Sequence, residues 1–151
     1  MKKIDEKKMI QLLINSENKQ DLDGFIEKNG VDAVDRDGRT FLLSAVVKNN
    51  LSLVSYLIEK NYDLSAADSQ GMTALHLAAI HDFYDMAKLL LDNGAEVDPI
   101  DAWGNTPLWR AAMNSQDENS LTAKLLLAKG ADINKKNNLD VAPIDLLPNE
   151  P

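Results

Sequence analysis

The stretch of sequence that decides the fold runs Asp68-Ser-Gln-Gly71-Met-Thr73-Ala-Leu75-His76-Leu77-Ala78-Ala79. A glycine between an aspartate and a threonine is typical of a tight turn, because glycine takes a positive φ without steric cost. The threonine then caps a helix in which Leu75, Ala78 and Ala79 share one face at i, i+3 and i+4. The stretch therefore predicts a turn followed by a short helix that a second helix approaches closely.

The same turn recurs on both sides at a fixed interval. Asp35-Arg-Asp-Gly38-Arg-Thr40 precedes it by 33 residues, and Asp101-Ala-Trp-Gly104-Asn-Thr106-Pro107 follows it by 33 residues. A weaker fourth start, Asn137-Asn-Leu-Asp140-Val-Ala142-Pro143-Ile144, places Asp140 at the glycine position. A repeat of this length predicts stacked units, because one unit cannot bury its apolar face alone.

A longer apolar segment follows each of the first three turns and predicts a second helix. In the second unit it contains Met86, Ala87, Leu89, Leu90 and Leu91. Gly94 is expected to end this helix with a positive φ, and Pro107 suits the first position of the next short helix. The third copy of the longer segment arrives three residues late, which indicates an insertion around residues 115–117 between its two helices.

These motifs carry a resemblance to a known family. The segment Gly71-Met-Thr73-Ala-Leu75-His76-Leu77-Ala78-Ala79 resembles the G-x-T-P-L-H-x-A-A signature of ankyrin repeats. Asn93-Gly94-Ala95-Glu96-Val97-Asp98 resembles their N-G-A-D-V-N connector. The resemblance implies an all-α repeat solenoid of helix-turn-helix units and hairpin loops, with a degenerate N-terminal cap and a truncated C-terminal repeat.

A single domain over residues 1–151 is expected. Its parts are capping helices (1–34), full repeats (35–67, 68–100 and 101–136), a partial repeat (137–147) and a tail (148–151). The first capping helix is expected to have one apolar face, made of Met9, Ile10, Leu12, Leu13 and Ile14. The second presents Leu22, Phe25 and Ile26. Residues 142–147 are expected to form a short helix that Pro148 terminates.

Composition narrows the classes of partner. The 151 residues include 16 Lys and Arg against 24 Asp and Glu, a net charge of −8. Nucleic acids and anionic membranes are disfavoured because no basic stripe is present, whereas a basic protein partner is favoured. No apolar segment is long enough to span a membrane, and no apolar stretch follows the first residues as a signal peptide requires. We expect a cytoplasmic protein that is a monomer, because the charge and the capped ends disfavour end-to-end stacking.

Catalytic chemistry is not expected. The chain has no cysteine and two histidines, and no phosphate-binding loop, nucleophile elbow or dinucleotide motif occurs. The family resemblance implies that His76 forms a hydrogen bond between neighbouring repeats. His81 lies five residues further on, so the two histidines do not form an i, i+4 metal pair. We therefore predict no catalytic residue, no metal site and no cofactor.

The family resemblance also implies where a protein partner binds, namely at the hairpin tips and the exposed face of the first helices. The candidate partner-binding residues are Arg36, Asp37, Arg39, Gln70, Met72, Ile80, His81, Trp103, Asn105, Arg110 and Met113. Trp103 is the strongest candidate, since a turn tip rarely needs a tryptophan for folding and tryptophan dominates binding hot spots. Two alternatives stay open: Trp103 staples a neighbouring hairpin, and Arg110 forms a salt bridge to a nearby acid instead of a ligand.

Three functions follow from this sequence. The first is a non-enzymatic protein-protein interaction module with a preformed concave face. The second, which the resemblance permits, is a bacterial immunity or inhibitor protein whose acidic surface covers the active site of a basic, nuclease-like toxin. The third is a scaffold that associates with itself through its convex or edge surfaces.

Overall fold

The computed structural model of the protein describes residues 5–15, 17–114 and 120–147. Within these ranges the chain forms eight α-helices and one short 3-10 helix. They are α1 (Glu6–Ile14), α2 (Lys19–Asn29), α3 (Phe41–Val47), α4 (Leu51–Glu59), α5 (Ala74–Ile80), α6 (Tyr84–Asp92), α7 (Pro107–Asn114), α8 (Leu121–Ala128) and the 3-10 helix Pro143–Asp145. The predicted all-α fold is confirmed.

The helices pack in two layers. The odd-numbered helices form an inner layer in which α1, α3, α5 and α7 lie side by side, followed by the 3-10 helix. In the outer layer, α4, α6 and α8 each pack on the inner helix that precedes them in the chain. Residues 41–46 of α3 and 74–79 of α5 are buried without exception, because each of these helices has a neighbour on both flanks and an outer helix above it.

Each hairpin is held by the side chain of its first residue. The carboxylate oxygen Oδ1 of Asp68 accepts hydrogen bonds from the backbone N–H of Gln70 at 2.9 Å and of Met72 at 3.0 Å. Asp35, Asp101 and Asn137 make the equivalent pair of bonds in the other hairpins. This arrangement is the Asx turn, in which a side-chain oxygen replaces a backbone acceptor.

Neighbouring hairpins are joined by backbone hydrogen bonds that run from one tip to the next. The donor and acceptor pairs are Ser69 N to Asp37 O (3.2 Å), Ala102 N to Gln70 O (3.0 Å) and Asn138 N to Trp103 O (3.0 Å). Gly71 has a φ of +75°, and a Cβ placed on it would lie 2.8 Å from the backbone nitrogen of Ala102. Glycine is therefore required both by the backbone conformation and by the close approach of the next hairpin. In the fourth hairpin Asp140 occupies this position with a φ of +64°, as the sequence predicted.

His76 ties the second repeat to the third. Its Nδ1 accepts a hydrogen bond from the backbone N–H of Thr73 at 3.2 Å, and its Nε2 lies 2.9 Å from the carbonyl oxygen of Asn105. Nε2 therefore carries the ring proton and donates a hydrogen bond to the Asn105 carbonyl, and the ring is neutral. Burial lowers the pKa of His76 below its ordinary value. The predicted inter-repeat hydrogen bond is present.

The N-terminal helices cover the first repeat, with one correction to the predicted face. Met9, Leu12 and Leu13 are buried, but Ile10 is 49% exposed and Ile14 is 73% exposed. Five apolar positions within six residues span more than one side of a helix, and only one side of α1 meets α3. The prediction that all five form one apolar face was therefore wrong, since Ile10 and Ile14 lie on another side of the helix.

The second capping helix is fixed to the first repeat by both aromatic and polar contacts. The rings of Phe25 and Phe41 lie 5.3 Å apart at an angle of 51°. On the surface, the Tyr56 hydroxyl donates to Asp23 at 2.5 Å and the Lys60 ammonium lies 3.1 Å from the same carboxylate. The hydrogen bond from Tyr56, aided by Lys60, lowers the pKa of Asp23.

The C-terminal element is shorter than the sequence predicted. Instead of a helix over residues 142–147, a 3-10 helix spans Pro143–Asp145. Backbone bonds from Asp145 N to Ala142 O and from Leu146 N to Pro143 O close the tighter turn. Pro148, the predicted tail and the predicted insertion at 115–117 lie outside the described residues.

Three glycine variants test the two reasons for glycine in the hairpin. Gly71→Ala is expected to lower the free energy of unfolding by about 2 kcal/mol or more, because positive φ and the contact with Ala102 both penalise a Cβ. Gly94→Ala, at a φ of +91° with nothing within 4 Å of the added Cβ, should lose only about 1–2 kcal/mol. Gly24→Ala, at an exposed position of α2, should gain about 0.5–1 kcal/mol. Equal losses for Gly71→Ala and Gly94→Ala in urea unfolding would show that the close approach costs nothing.

The hydrogen bonds of buried His76 predict that the protein is less stable at acidic pH. Because the folded state binds the proton of His76 less tightly than the unfolded chain does, the free energy of unfolding should fall as pH drops below about 6.5. The fall should level off below the lowered pKa of the folded state. His76→Gln should flatten this slope between pH 7 and pH 5, whereas His81→Gln, which removes an exposed histidine, should keep it. Urea unfolding at several pH values measures both, and an unchanged slope in His76→Gln would contradict the assignment.

Candidate partner-binding surface

The hairpins place one side chain each at the same position of successive tips. These residues, two positions after the residue that holds each turn, are Asp37, Gln70, Trp103 and Leu139, and we call them the tip row. All four are exposed, and the backbone bonds between hairpins fix their order. The row changes from a carboxylate at Asp37 to apolar side chains at Trp103 and Leu139, which are 48% and 81% exposed.

Trp103 is positioned by Asp101 and Arg110. Its backbone N–H donates to Asp101 Oδ1 at 2.9 Å, which fixes the turn below the ring. The Arg110 guanidinium carbon lies 5.3 Å from the centroid of the Trp103 ring and 5.7 Å from that of Trp109. Both distances are within cation–π range, so the guanidinium contacts the Trp103 ring while the residue remains 48% exposed.

Arg110 is in turn fixed by the same buried carboxylate. Its Nε and Nη2 donate to Asp101 Oδ2 at 2.8 Å and 2.5 Å, and the Asp101 side chain is fully buried. Burial by itself raises the pKa of Asp101, but the hydrogen bonds from Arg110 and from two backbone N–H groups outweigh it and hold the pKa below its ordinary value. The sequence left open whether Arg110 binds a ligand or forms a salt bridge to a nearby acid. In the structure it forms the salt bridge, to Asp101.

The other predicted residues differ in how far they are exposed to solvent. Arg36, Asp37, Gln70, His81 and Met113 are exposed, and Arg39 and Ile80 are half-buried. Arg39 lies 3.9 Å from Asp37 and 3.8 Å from Asp68, so it bridges two hairpins.

Met72 and Asn105 are corrections to the predicted surface. Met72 is 8% exposed and packs in the hydrophobic core, and Asn105 is 3% exposed. Each lies at the base of its hairpin, where its backbone N–H bonds to the aspartate that holds the turn. The Asn105 side chain also donates to Asp101 at 3.3 Å and accepts from Asn137 at 2.8 Å. Neither side chain is available at the tip.

Three predicted residues, Ile80, His81 and Met113, lie at the C-terminal ends of the inner helices α5 and α7. Met113, at the end of α7, is 61% exposed. The ring of His81 stacks on Phe83 at 5.1 Å, and the Ile80 carbonyl accepts a hydrogen bond from the side chain of Asn114 at 2.9 Å. The hydrogen bond from Asn114 holds the ends of α5 and α7 together without burying Met113.

Sequence reasoning missed Leu139, Asp101 and Trp109. Leu139 stands in the weaker fourth start at the position of Trp103, so the alignment of the turns held the signal for it. Asp101 was assigned only to the turn, and its second carboxylate oxygen could not be linked to Arg110 from the turn motif alone. Trp109 replaces the histidine of the second repeat and instead lies against Arg110.

Among residues 5–15, 17–114 and 120–147, no three His, Asp or Glu side chains are grouped so that they could hold a metal ion. Nor does any helix in this part of the chain combine the length and apolarity that crossing a membrane requires.

Comparison with known proteins supports the repeated motif. A family model described as ankyrin repeats (3 copies) matches residues 3–101 and 67–137. The two matched segments overlap and together span most of the chain, so the resemblance predicted from the sequence is confirmed. Curated proteins give no match to this chain.

We expect loss of Arg110 to destabilise the fold and a second substitution at Asp101 to recover part of that stability. Arg110→Ala should lower the free energy of unfolding by about 3 kcal/mol, because it leaves a buried carboxylate without its cation. Adding Asp101→Asn should restore part of this loss, since Asn137 already holds the fourth hairpin through an amide oxygen. Lys136→Ala, which removes the exposed pair with Asp140, should leave stability almost unchanged. A double variant less stable than Arg110→Ala in urea unfolding would contradict this account.

Proposed function

We propose, since the chain belongs to the ankyrin-repeat family, that it is a non-enzymatic module that binds a protein partner along the tip row, with Trp103 at the centre. Ankyrin repeats are generally protein-protein interaction modules. The observation that carries the proposal is the placement of Trp103: a tryptophan ring 48% exposed at a turn tip that does not need it for its own hydrogen bonds.

The contacts that fix Trp103 in place favour binding of a partner. Its turn is fixed by Asp101, and its ring rests on a guanidinium that is itself fixed by two hydrogen bonds. A partner that covers the ring therefore loses little conformational freedom on the side of this protein. Tryptophan side chains held in this way often contribute a large share of the affinity of an interface.

The neighbours of Trp103 supply specificity. Leu139 on one side extends the apolar part of the tip row, and Gln70 on the other offers an amide that donates and accepts hydrogen bonds. Met113 offers a flexible apolar side chain that adapts to the shape of a partner. We infer a partner whose contact surface is apolar opposite Trp103 and Leu139 and polar opposite Gln70 and Asp37.

The non-enzymatic part of the proposal rests on how the reactive groups are used. His76 is completely buried, and both of its ring nitrogens form hydrogen bonds to backbone groups of Thr73 and Asn105. Both carboxylate oxygens of Asp101 also accept hydrogen bonds, Oδ1 from the backbone of its turn and Oδ2 from Arg110. Neither group is left to transfer a proton to a bound substrate.

An inhibitor of a basic protein is the second candidate, and the distribution of acids favours it. Four exposed acids occupy equivalent connectors: Asp32 follows α2, and Asp63, Glu96 and Asp132 follow the outer helices α4, α6 and α8. Such a row adds to the field of a chain with net charge −8 and would speed association with a basic toxin. Binding through this row should weaken steeply with salt, whereas binding centred on Trp103 should not.

The test uses matched tryptophan and tyrosine variants. Wild-type protein, Trp103→Ala and Tyr84→Ala are immobilised and used to retain proteins from the lysate of the source organism, which mass spectrometry then identifies. Tyr84 is a control because it is an aromatic residue 36% exposed on outer helix α6, away from the tip row. Trp103→Ala should weaken binding of the purified partner by more than about 2 kcal/mol in calorimetry, and Tyr84→Ala should not.

The outcomes separate the two candidates. Loss of the partner with Trp103→Ala alone supports the tip row. Equal binding by all three proteins removes Trp103 from the site, and a single basic partner whose binding collapses with salt then favours the inhibitor. A similar loss with both variants, or a drop in the melting temperature of Trp103→Ala, would instead point to damage of the fold.

A further inference from the structure

Arg110 has hydrogen-bond donors that the fold does not use. A guanidinium carries its N–H groups in one plane, on Nε, Nη1 and Nη2. In Arg110, Nε and Nη2 donate to Asp101 Oδ2 at 2.8 Å and 2.5 Å, whereas Nη1 has no hydrogen-bond partner in the part of the chain that the structure describes. The Arg110 side chain is 18% exposed, and Nη1 is not among the atoms of these residues that are both buried and unpaired. The N–H groups of Nη1 therefore reach solvent.

These free donors are held in a fixed position beside Trp103. On the other edge of the guanidinium, both hydrogen bonds end on the carboxylate of Asp101, which is fully buried. The guanidinium carbon also lies over two indole rings, 5.3 Å from the centroid of Trp103 and 5.7 Å from that of Trp109. A partner that covers the exposed Trp103 ring therefore also reaches Nη1 of Arg110, and it meets donors whose orientation is already set.

A partner that binds here has to supply an acceptor for Nη1. Solvent can accept hydrogen bonds from these N–H groups in the free protein. If a partner displaces the solvent without replacing its hydrogen bonds, the unpaired donor opposes binding, and the penalty is larger for a charged group than for a neutral one. A purely apolar surface suits Trp103 but leaves Arg110 unpaired. The site therefore favours an apolar group with an acceptor close beside it.

The acceptor that fits Nη1 best is neutral. Asp101 already places one carboxylate on the guanidinium, so the ion pair as a whole carries no net charge. A second carboxylate from a partner would lose its hydration against a cation that is already compensated, and the net charge of −8 would repel it. A carbonyl oxygen accepts from the same N–H groups, and removing it from water costs far less than removing a charge.

The main chain of an extended segment provides both the apolar group and the carbonyl. Every residue of such a segment carries a carbonyl oxygen, and successive residues advance by about 3.3 Å. The 5.3 Å between the Arg110 guanidinium and the Trp103 ring is of the same order, so one residue can contact the ring while a carbonyl beside it reaches Nη1. In the middle of an α-helix the carbonyls are already bonded within the helix, and a helix laid on Trp103 would leave Nη1 unpaired.

We propose that the partner presents an extended segment to the tip row, with an apolar side chain on Trp103 and a main-chain carbonyl on Nη1 of Arg110. The inference rests on the proposed function and names the kind of segment that this surface recognises. Arg110 then has two roles, because one edge of its guanidinium binds Asp101 and the other binds the partner. Gln70, exposed at the preceding tip, offers an amide to a further main-chain group of the same segment.

Linear peptides test the proposal, because they adopt an extended conformation without needing a fold of their own. A phage-displayed library of random linear peptides is selected on the full chain. Enriched peptides are then synthesised with acetyl and amide ends, so that they carry no terminal charge. Each amide around the apolar residue on which binding depends is replaced in turn by an ester, whose carbonyl is a weaker acceptor. Calorimetry measures the affinity of every peptide for wild type, Arg110→Lys and Trp103→Ala.

Arg110→Lys should weaken binding of the peptide because lysine keeps a cation beside Asp101 but has no second planar edge. The affinity should fall about tenfold or more, as expected for a hydrogen bond from a charged donor. In wild type one of the esters should weaken binding several-fold. The same ester should have little effect in Arg110→Lys, since the bond that it weakens is already lost. Between low and high salt the affinity should change by less than about twofold, because the acceptor is neutral.

Two controls separate binding from stability. Lys88→Ala removes an exposed cation of α6 that pairs with Asp92, and it should bind the peptide as wild type does. The ester series on wild type changes nothing in the protein, so it tests the carbonyl contact even where Arg110→Lys is less stable. The melting temperature of each variant shows whether it is folded at the temperature of the measurement.

The possible results distinguish this inference from the proposed function. Peptides that depend on Trp103 but bind Arg110→Lys as tightly as wild type keep the proposed function and overturn the inference. Enriched peptides that need an Asp or Glu beside the apolar residue also overturn it, because the acceptor is then a carboxylate. A selection that enriches no peptide overturns the extended segment, whereas a folded partner retained from lysate would still support the tip row. Peptides that bind Trp103→Ala as well as wild type contradict the proposed function, and the inference with it.

Discussion

The structure depends on one recurring interaction, the pair of hydrogen bonds that the first side chain of each hairpin accepts from the backbone. In Asp35, Asp68, Asp101 and Asn137 a single oxygen accepts from the N–H groups two and four residues ahead. This fixes the turn tightly enough for the next hairpin to approach to backbone hydrogen-bonding distance. The regular stacking of the hairpins then sets the spacing at which the short inner helices pack.

The same interaction connects the fold to the proposed binding surface. Asp101 holds its hairpin with one carboxylate oxygen and Arg110 with the other, and Arg110 supports the ring of Trp103. Asn137 performs the turn function with a neutral amide, so the charge of Asp101 is not needed for the turn itself. The charge matters for Arg110, and through Arg110 for the position of the tryptophan.

Stacking also explains why the two ends differ from the middle. An inner helix with neighbours on both flanks, such as α5, is buried over residues 74–79, and the core leucine of each interior repeat is inaccessible. At α1 and at the 3-10 helix only one flank is covered, which leaves Ile10, Ile14 and Ile144 exposed. The exposure of these three isoleucines is thus a consequence of repeat architecture.

The sequence by itself determined the period, the turns with their glycines, the threonine caps and the helix pairs, whereas the inter-repeat role of His76 was implied by the family resemblance. These features are local or repeat at a fixed spacing, and a local hydrogen bond or a positive φ leaves a recognisable residue at a fixed position. The tertiary structure alone decided that Met72 and Asn105 are buried, that Ile10 and Ile14 are exposed, and that Arg110 binds Asp101. Burial and ion pairing depend on which flank of an element meets a neighbour, and a pattern shared by every repeat carries no record of that difference.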